Sequence, residues 1–162
     1  MVRQNIIAND KVLILLDNSI ELVETIYACF EIGAIAAPIS PKLTDIELEQ
    51  IINLIDPKLI ITNWKFQKRL LRSKFPILSI EEMLQSSRGC SNVKTNYQFN
   101  KDDIAVIILT SGTTGLPKAV QLTYQNFEIS CSNWNDFLNF NEVDQFLCCL
   151  PLYHIGGLVV LI

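Results

Sequence analysis

One histidine, two methionines and two tryptophans occur in 162 residues. So few imidazoles argue against most zinc-site layouts. Five cysteines stand at positions 29, 90, 131, 148 and 149. Their odd number and the lack of a C-x-x-C spacing fit neither a zinc site nor a disulfide framework. Reduced thiols suit a cytosol-like compartment, and Cys148 and Cys149, within an apolar run, are expected to be small buried hydrophobes. Charge is sparse too. Charged residues make up 19%, the net charge is −4 and the pI is near 5.0, which leaves no basic footprint for nucleic acid. No N-terminal stretch has the layout of a secretory signal. No run reaches the roughly 18 apolar residues of a membrane span. The nearest, residues 146–162, is interrupted by Pro151, His154 and Gly156-Gly157. A soluble protein without a nucleic-acid partner is expected.

At 49% hydrophobic, the chain has ample material for a core. Apolar runs alternate with amphipathic stretches. Residues 12–16 have the pattern of a strand, and Asn18 or Ser19 can cap a helix ending near Gly33 with Ile20, Val23, Tyr27 and Phe30 as its apolar stripe. Residues 35–39 form a second short strand. Thr44 and Glu47 make a capping box for a helix to about Ile55, stopped by Asp56-Pro57. Residues 58–62 form a third strand. Lys65, Lys68, Arg69, Arg72 and Lys74 surround Phe66, Leu70 and Leu71 as the solvated face of one amphipathic helix. Residues 86–100 are a polar surface connection. Asp17, Asp45 and Glu47 are turn and cap residues. Such alternation predicts an α/β fold, a parallel or mixed sheet covered by helices.

The strongest chemical signal is LTSGTTGLPK at residues 109–118, directly after the β-branched run 104–109. Gly112 and Gly115 remove Cβ atoms that would keep main-chain N–H groups from an anion. Ser111, Thr113 and Thr114 add hydroxyls, and Lys118 adds a point charge suited to phosphate. A Walker loop needs four residues between its first glycine and Gly-Lys-Ser/Thr, whereas here only two residues separate the glycines and Pro117 precedes the lysine. An ordinary polar turn with an exposed lysine is the plainer alternative. After the loop, residues 120–122 can pair back as a strand. Thr123 can cap a helix over 124–138 with Phe127, Cys131, Trp134 and Leu138 on one side.

These residues resemble the adenylate-forming family of acyl-CoA synthetases, luciferases and peptide-synthetase adenylation domains. Besides LTSGTTGLPK, residues 10–62 are similar to the family's opening strand–helix units, and LPLYHIGG follows in the family's order and spacing. The match is weakest over 64–98. The ending PLYHIGGLVVLI is most similar to the 2-succinylbenzoate–CoA ligases of menaquinone and phylloquinone synthesis. Ala119 departs from the glycine more usual after Pro-Lys.

The resemblance implies a two-step reaction. A carboxylate attacks the α-phosphorus of ATP, giving an acyl-adenylate and pyrophosphate with Mg²⁺ balancing charge, and coenzyme A then displaces AMP. It also implies that Thr110, Ser111, Gly112, Thr113, Thr114, Gly115 and Lys118 hold the phosphates. His154, at a sharp strand-to-helix transition, would line the acyl pocket beside a small carboxylate, with 2-succinylbenzoate as the candidate. No residues here are expected to ligate a metal directly. The family's later motifs are absent, so residues 1–162 are expected to be a partial N-terminal AMP-binding domain, without its remainder and small lid domain, and inactive alone. Two other classes remain: a degenerate phosphate-binding or packing remnant, and a phosphate-loop NTPase. The expected location is cytoplasmic, with plastid stroma as the alternative.

Overall fold

The computed structural model describes residues 1, 4–86, 97–110 and 117–161. The elements run β1 (Lys11–Leu15), α1 (Ile20–Glu31), β2 (Ile35–Pro38), α2 (Asp45–Ile55), β3 (Leu59–Thr62), α3 (Trp64–Gln67), β4 (Ile77–Ser79) and α4 (Ile80–Ser86). They continue with β5 (Ile104–Thr110), β6 (Lys118–Thr123), α5 (Tyr124–Leu138) and α6 (Ile155–Leu158). The six strands form one sheet in the order β4-β3-β1-β2-β5-β6. All neighbours are parallel except β5 and β6, which pair antiparallel with Thr110 opposite Lys118. The expected mixed α/β sheet is therefore present, including the return strand after the loop.

The central strands are buried on both faces, which is why they read as continuous apolar runs rather than alternating ones. Successive residues of β1 point to opposite sides. Val12 and Ile14 join Leu22, Ile26 and Cys29 of α1, whereas Leu13 and Leu15 join Leu48, Ile51, Ile52 and Ile55 of α2. The two helices thus cover opposite faces. Leu13, Ile14, Leu15, Ile60 and Ile61 are fully buried, each contributing about 1.5–3 kcal/mol of transfer free energy.

Local signals act where the sequence places them. Ser19 Oγ accepts from Leu22 N at 3.2 Å to cap α1. Thr44 and Glu47 close the capping box of α2. That helix ends with Asp56 in the left-handed region at φ 51°, before Pro57, which could not continue the helical bonding. Thr123 and Asn126 form a second capping box at the start of α5.

Five expectations need correction. The buried face of α1 is Leu22, Thr25, Ile26 and Cys29, while Ile20 and Tyr27 are exposed and Val23 and Phe30 only partly buried. This helix is apolar on two sides, and the sheet takes the other one. The basic segment is not one helix, because α3 tightens into a 3₁₀ turn at Lys68–Leu70. Phe66 and Leu70 are buried there, and Leu71 is exposed. Arg69 is no solvated charge: it donates to Asp45 Oδ1 at 2.7 Å, to the Pro41 carbonyl at 2.9 Å and to the Leu43 carbonyl.

Cys148 and Cys149 are exposed rather than buried, because residues 146–150 join no strand among the described residues. For the same reason the turn before α6 is not preceded by a strand. On α5 only Phe127 of the expected apolar side is buried; Trp134 and Leu138 are exposed. Cys90 and most of the polar connection 86–100 lie outside the described residues.

Candidate active-site cleft

The C-terminal ends of parallel strands are where open α/β sheets place their ligands. Here the ends of β2 and β5 open into a cleft of about 360 Å³. Its floor is Pro38, Ile39 and Ser40 after β2. One wall is Leu43, Glu47, Gln50 and Ile51, on and just before α2, and the other is Leu109, Thr110 and Pro117 with Tyr153 and His154. The structure therefore brings together Thr110 and His154, 44 positions apart in the chain. It also places Pro117, the residue just after 111–116, on the same cleft. Ser111, Gly112, Thr113, Thr114 and Gly115 lie outside the described residues. Lys118 is exposed on β6, in register with Thr110, but does not line this cleft.

His154 sits in the extended region, φ −112° and ψ 149°, as the residue before α6. Its carbonyl accepts from Gly157 N at 3.1 Å and Leu158 N at 3.0 Å, so its backbone starts the helix. Its side chain makes no capping bond and is exposed. Its ring stands edge-on to Tyr153, with centroids 4.7 Å apart and an interplanar angle of 61°. Leu152 and Leu158 are buried in the core, which seats this turn against the sheet while leaving the imidazole at the surface.

The electrostatics of the described walls are one-sided. Glu47 Oε2 accepts from Thr44 N and Thr44 Oγ1, both at 2.7 Å. The backbone bond first, and then the hydroxyl, hold its carboxyl below the ordinary range, so it is ionised near neutral pH. No lysine or arginine lines the cleft among the described residues. No group of three or more His, Cys, Asp and Glu side chains is placed to hold a metal among them either. A polyphosphate seated there would need positive charge from Lys118, from loop N–H groups, or from a cation carried on its own oxygens. The Thr110 hydroxyl and the His154 imidazole suit phosphate or carboxylate oxygens.

Sequence reasoning missed Ser40, Gln50 and Tyr153. Ser40 had a usable signal, since it leaves a buried strand at its ligand-facing end. Gln50 carried none, being an ordinary helix-surface residue until α2 is docked.

A mixed sheet whose parallel strand ends frame a hydroxyl- and imidazole-bearing cleft is the layout in which open α/β folds place small ligands. The chain belongs to the AMP-binding enzyme family, whose model matches residues 1–162. The 2-succinylbenzoate–CoA ligase of Oceanobacillus iheyensis is 36% identical over 151 residues, covering 92% of this chain and 31% of the ligase. The solved o-succinylbenzoate CoA synthetase of Bacillus subtilis, in complex with the acyl-adenylate intermediate, superposes with a TM-score of 0.90 at 29% identity, covering 99% of this chain and 42% of that one. The same enzyme in complex with ATP and magnesium ion gives 0.88 at 28% identity, with the same coverage of both chains. The chain thus spans about a third of the length of the curated relative. Among the described residues no helix is long and apolar enough to cross a membrane.

Proposed function

We propose that this chain provides the phosphate-binding loop and one acyl-side wall of an ATP-dependent acid–thiol ligase acting on a small carboxylate of the 2-succinylbenzoate type. The carrying observation is the convergence of Thr110, Pro117 and His154 on one cleft at the ends of β2 and β5. The similarity to ligases named for that substrate supports the choice of acid.

In this reading residues 110–115 hold the β- and γ-phosphates as leaving group, and Lys118 offsets their charge. His154 faces the carboxylate that attacks the α-phosphorus, with the edge of Tyr153 behind it. Mg²⁺ on the phosphate oxygens would supply the neutralisation that the described walls lack. The chain's own contribution is positioning and electrostatic stabilisation. Coenzyme A would enter in the second step as the thiol co-substrate. A cytoplasmic location fits this chemistry.

The test is a calorimetric titration with Mg·ATP of the whole chain and its Lys118→Ala variant, followed by carboxylate-dependent pyrophosphate exchange. Loss of one charge-assisted contact, about 1.5–3 kcal/mol, predicts roughly tenfold or more weaker ATP binding with an unchanged melting temperature. Equal affinities would remove Lys118 from the site. Mg·ATP binding without exchange is the result expected of residues 1–162 as one part of a ligase, exchange dependent on 2-succinylbenzoate would show turnover already in this chain, and absent ATP binding or carboxylate-independent hydrolysis would overturn the reading.

A further inference from the structure

Three consecutive residues leave β1, and each has a separate task. Asp17 Oδ2 pairs with Lys65 Nζ at 2.6 Å on the surface. Ser19 caps α1. Asn18, between them, uses both ends of its amide on backbone more than 130 residues away. Its Nδ2 donates to the Leu150 carbonyl at 2.9 Å, and its Oδ1 accepts from Leu152 N at 2.9 Å. The strip it grips, 150–152, runs directly into Tyr153 and His154.

We infer that Asn18 is a positioning residue, a two-point amide clamp that orients the 150–154 turn and so sets where the His154 imidazole stands in the cleft. Buried Leu152 and Leu158 fix how deeply the turn sits, but apolar contacts are non-directional and do not fix its rotation. A donor and an acceptor on alternate backbone groups do. The Leu150 carbonyl and Leu152 N–H would otherwise lack this partner, and only a side chain bearing both functions satisfies the pair. Asparagine does so, whereas aspartate, acceptor-only when ionised, would set an oxygen against the Leu150 carbonyl. The significance of the imidazole for substrate rests on the function proposed above, but its dependence on Asn18 does not.

The chain has one histidine, so its imidazole NMR signals need no further assignment, and the ring of Tyr153 makes them sensitive to small rotations. The experiment compares these signals and the melting temperature in wild type, Asn18→Ala, Asn18→Asp and Ser19→Ala. Asn18→Ala and Asn18→Asp should shift or broaden the His154 ring signals. Ser19→Ala, which removes the neighbouring helix cap, should lower the melting temperature while leaving those signals in place. His154 signals of Asn18→Ala that superpose on wild type would overturn the inference, as would an equal displacement in Ser19→Ala. Should Asn18→Ala not fold, the near-isosteric Asn18→Asp decides by the same criterion. Adding 2-succinylbenzoate to the wild type separates the two claims: no saturable change at His154 rejects the ligand assignment and leaves the clamp standing.

Discussion

Gly157 and Gly156 are adjacent in α6, yet the structure predicts opposite responses to a methyl group. A Cβ on Gly157 would lie 2.3 Å from the Pro151 carbonyl oxygen, 2.8 Å from its carbon and 2.9 Å from the Leu150 oxygen. A relaxed carbon–oxygen contact needs about 3.3 Å, so the backbone must move by about 1 Å. That backbone is held: the Pro151 oxygen accepts from His154 N at 3.1 Å and the Leu150 oxygen from Asn18. On Gly156 the nearest atom is Leu150 Cδ1 at 3.7 Å, an ordinary contact with a flexible side chain.

Both alanines gain similar helix propensity, up to about 1 kcal/mol, so the difference between the variants isolates the overlap. Overpacking against fixed atoms costs typically about 1–3 kcal/mol. Gly157→Ala should therefore be less stable than Gly156→Ala by about that amount, or roughly 2–10 °C in melting temperature for a chain of this size. Paired thermal melts by circular dichroism, with urea midpoints as a second measure, supply the comparison. A Gly157→Ala protein as stable as Gly156→Ala would refute the reasoning, because it would mean that the 150–151 backbone yields at no cost.

Two further outcomes follow from burial. Phe127 is 3% exposed and Phe137 is 80% exposed on the same helix; Phe127→Ala should cost about 3–5 kcal/mol and Phe137→Ala no more than about 0.5, and similar urea midpoints for the two would show that Phe127 does not anchor α5. Cys29 is buried against the sheet, and burial, partly countered by the N-terminal charge, pushes its thiol from 9.0 up to about 12. A raised folded value means that the stability it contributes is intact below pH 9 and lost as pH rises toward 12, amounting to roughly 2 kcal/mol by pH 10.5. Urea midpoints at pH 8 and 10.5 should converge in Cys29→Ala relative to wild type, and an undiminished fall in that variant would assign the alkaline loss to other groups, Tyr124 among them.

What could be read from the sequence is what neighbours in the chain decide. Thr44 and Glu47 are three residues apart, and their capping box formed where the pattern placed it. The runs 104–109 and 58–62 became buried strands because their β-branched residues suit a doubly covered sheet. The errors arose where a distant partner chose between local options. α1 carries apolar residues on two sides, and periodicity could not say which one the sheet would take. Tyr27, assigned inward, instead donates its hydroxyl to the Leu161 carbonyl. Arg69 looked like a solvated charge because its partners lie 24–28 residues back.

The site divides in the same way. Residues 109–118 suggest a phosphate loop through their residue types and their place after a β-branched run, whereas Asn18 reads locally as a helix cap because its partners lie 132 and 134 residues onward. In the function proposed above, local pattern names the groups that would meet the ligand, and long-range folding supplies the group that would aim one of them. The cleft's charge extends this division. Its described walls carry an ionised Glu47 and no cation, so an anionic substrate is not drawn in by those walls. In the proposed function the attraction would come from Lys118 on the loop side, while Gln50 of α2 and Ser40 after β2 would discriminate by shape and hydrogen bonding. Substitution at Lys118 should accordingly weaken nucleotide binding, and substitution at Gln50 should alter the choice of acid.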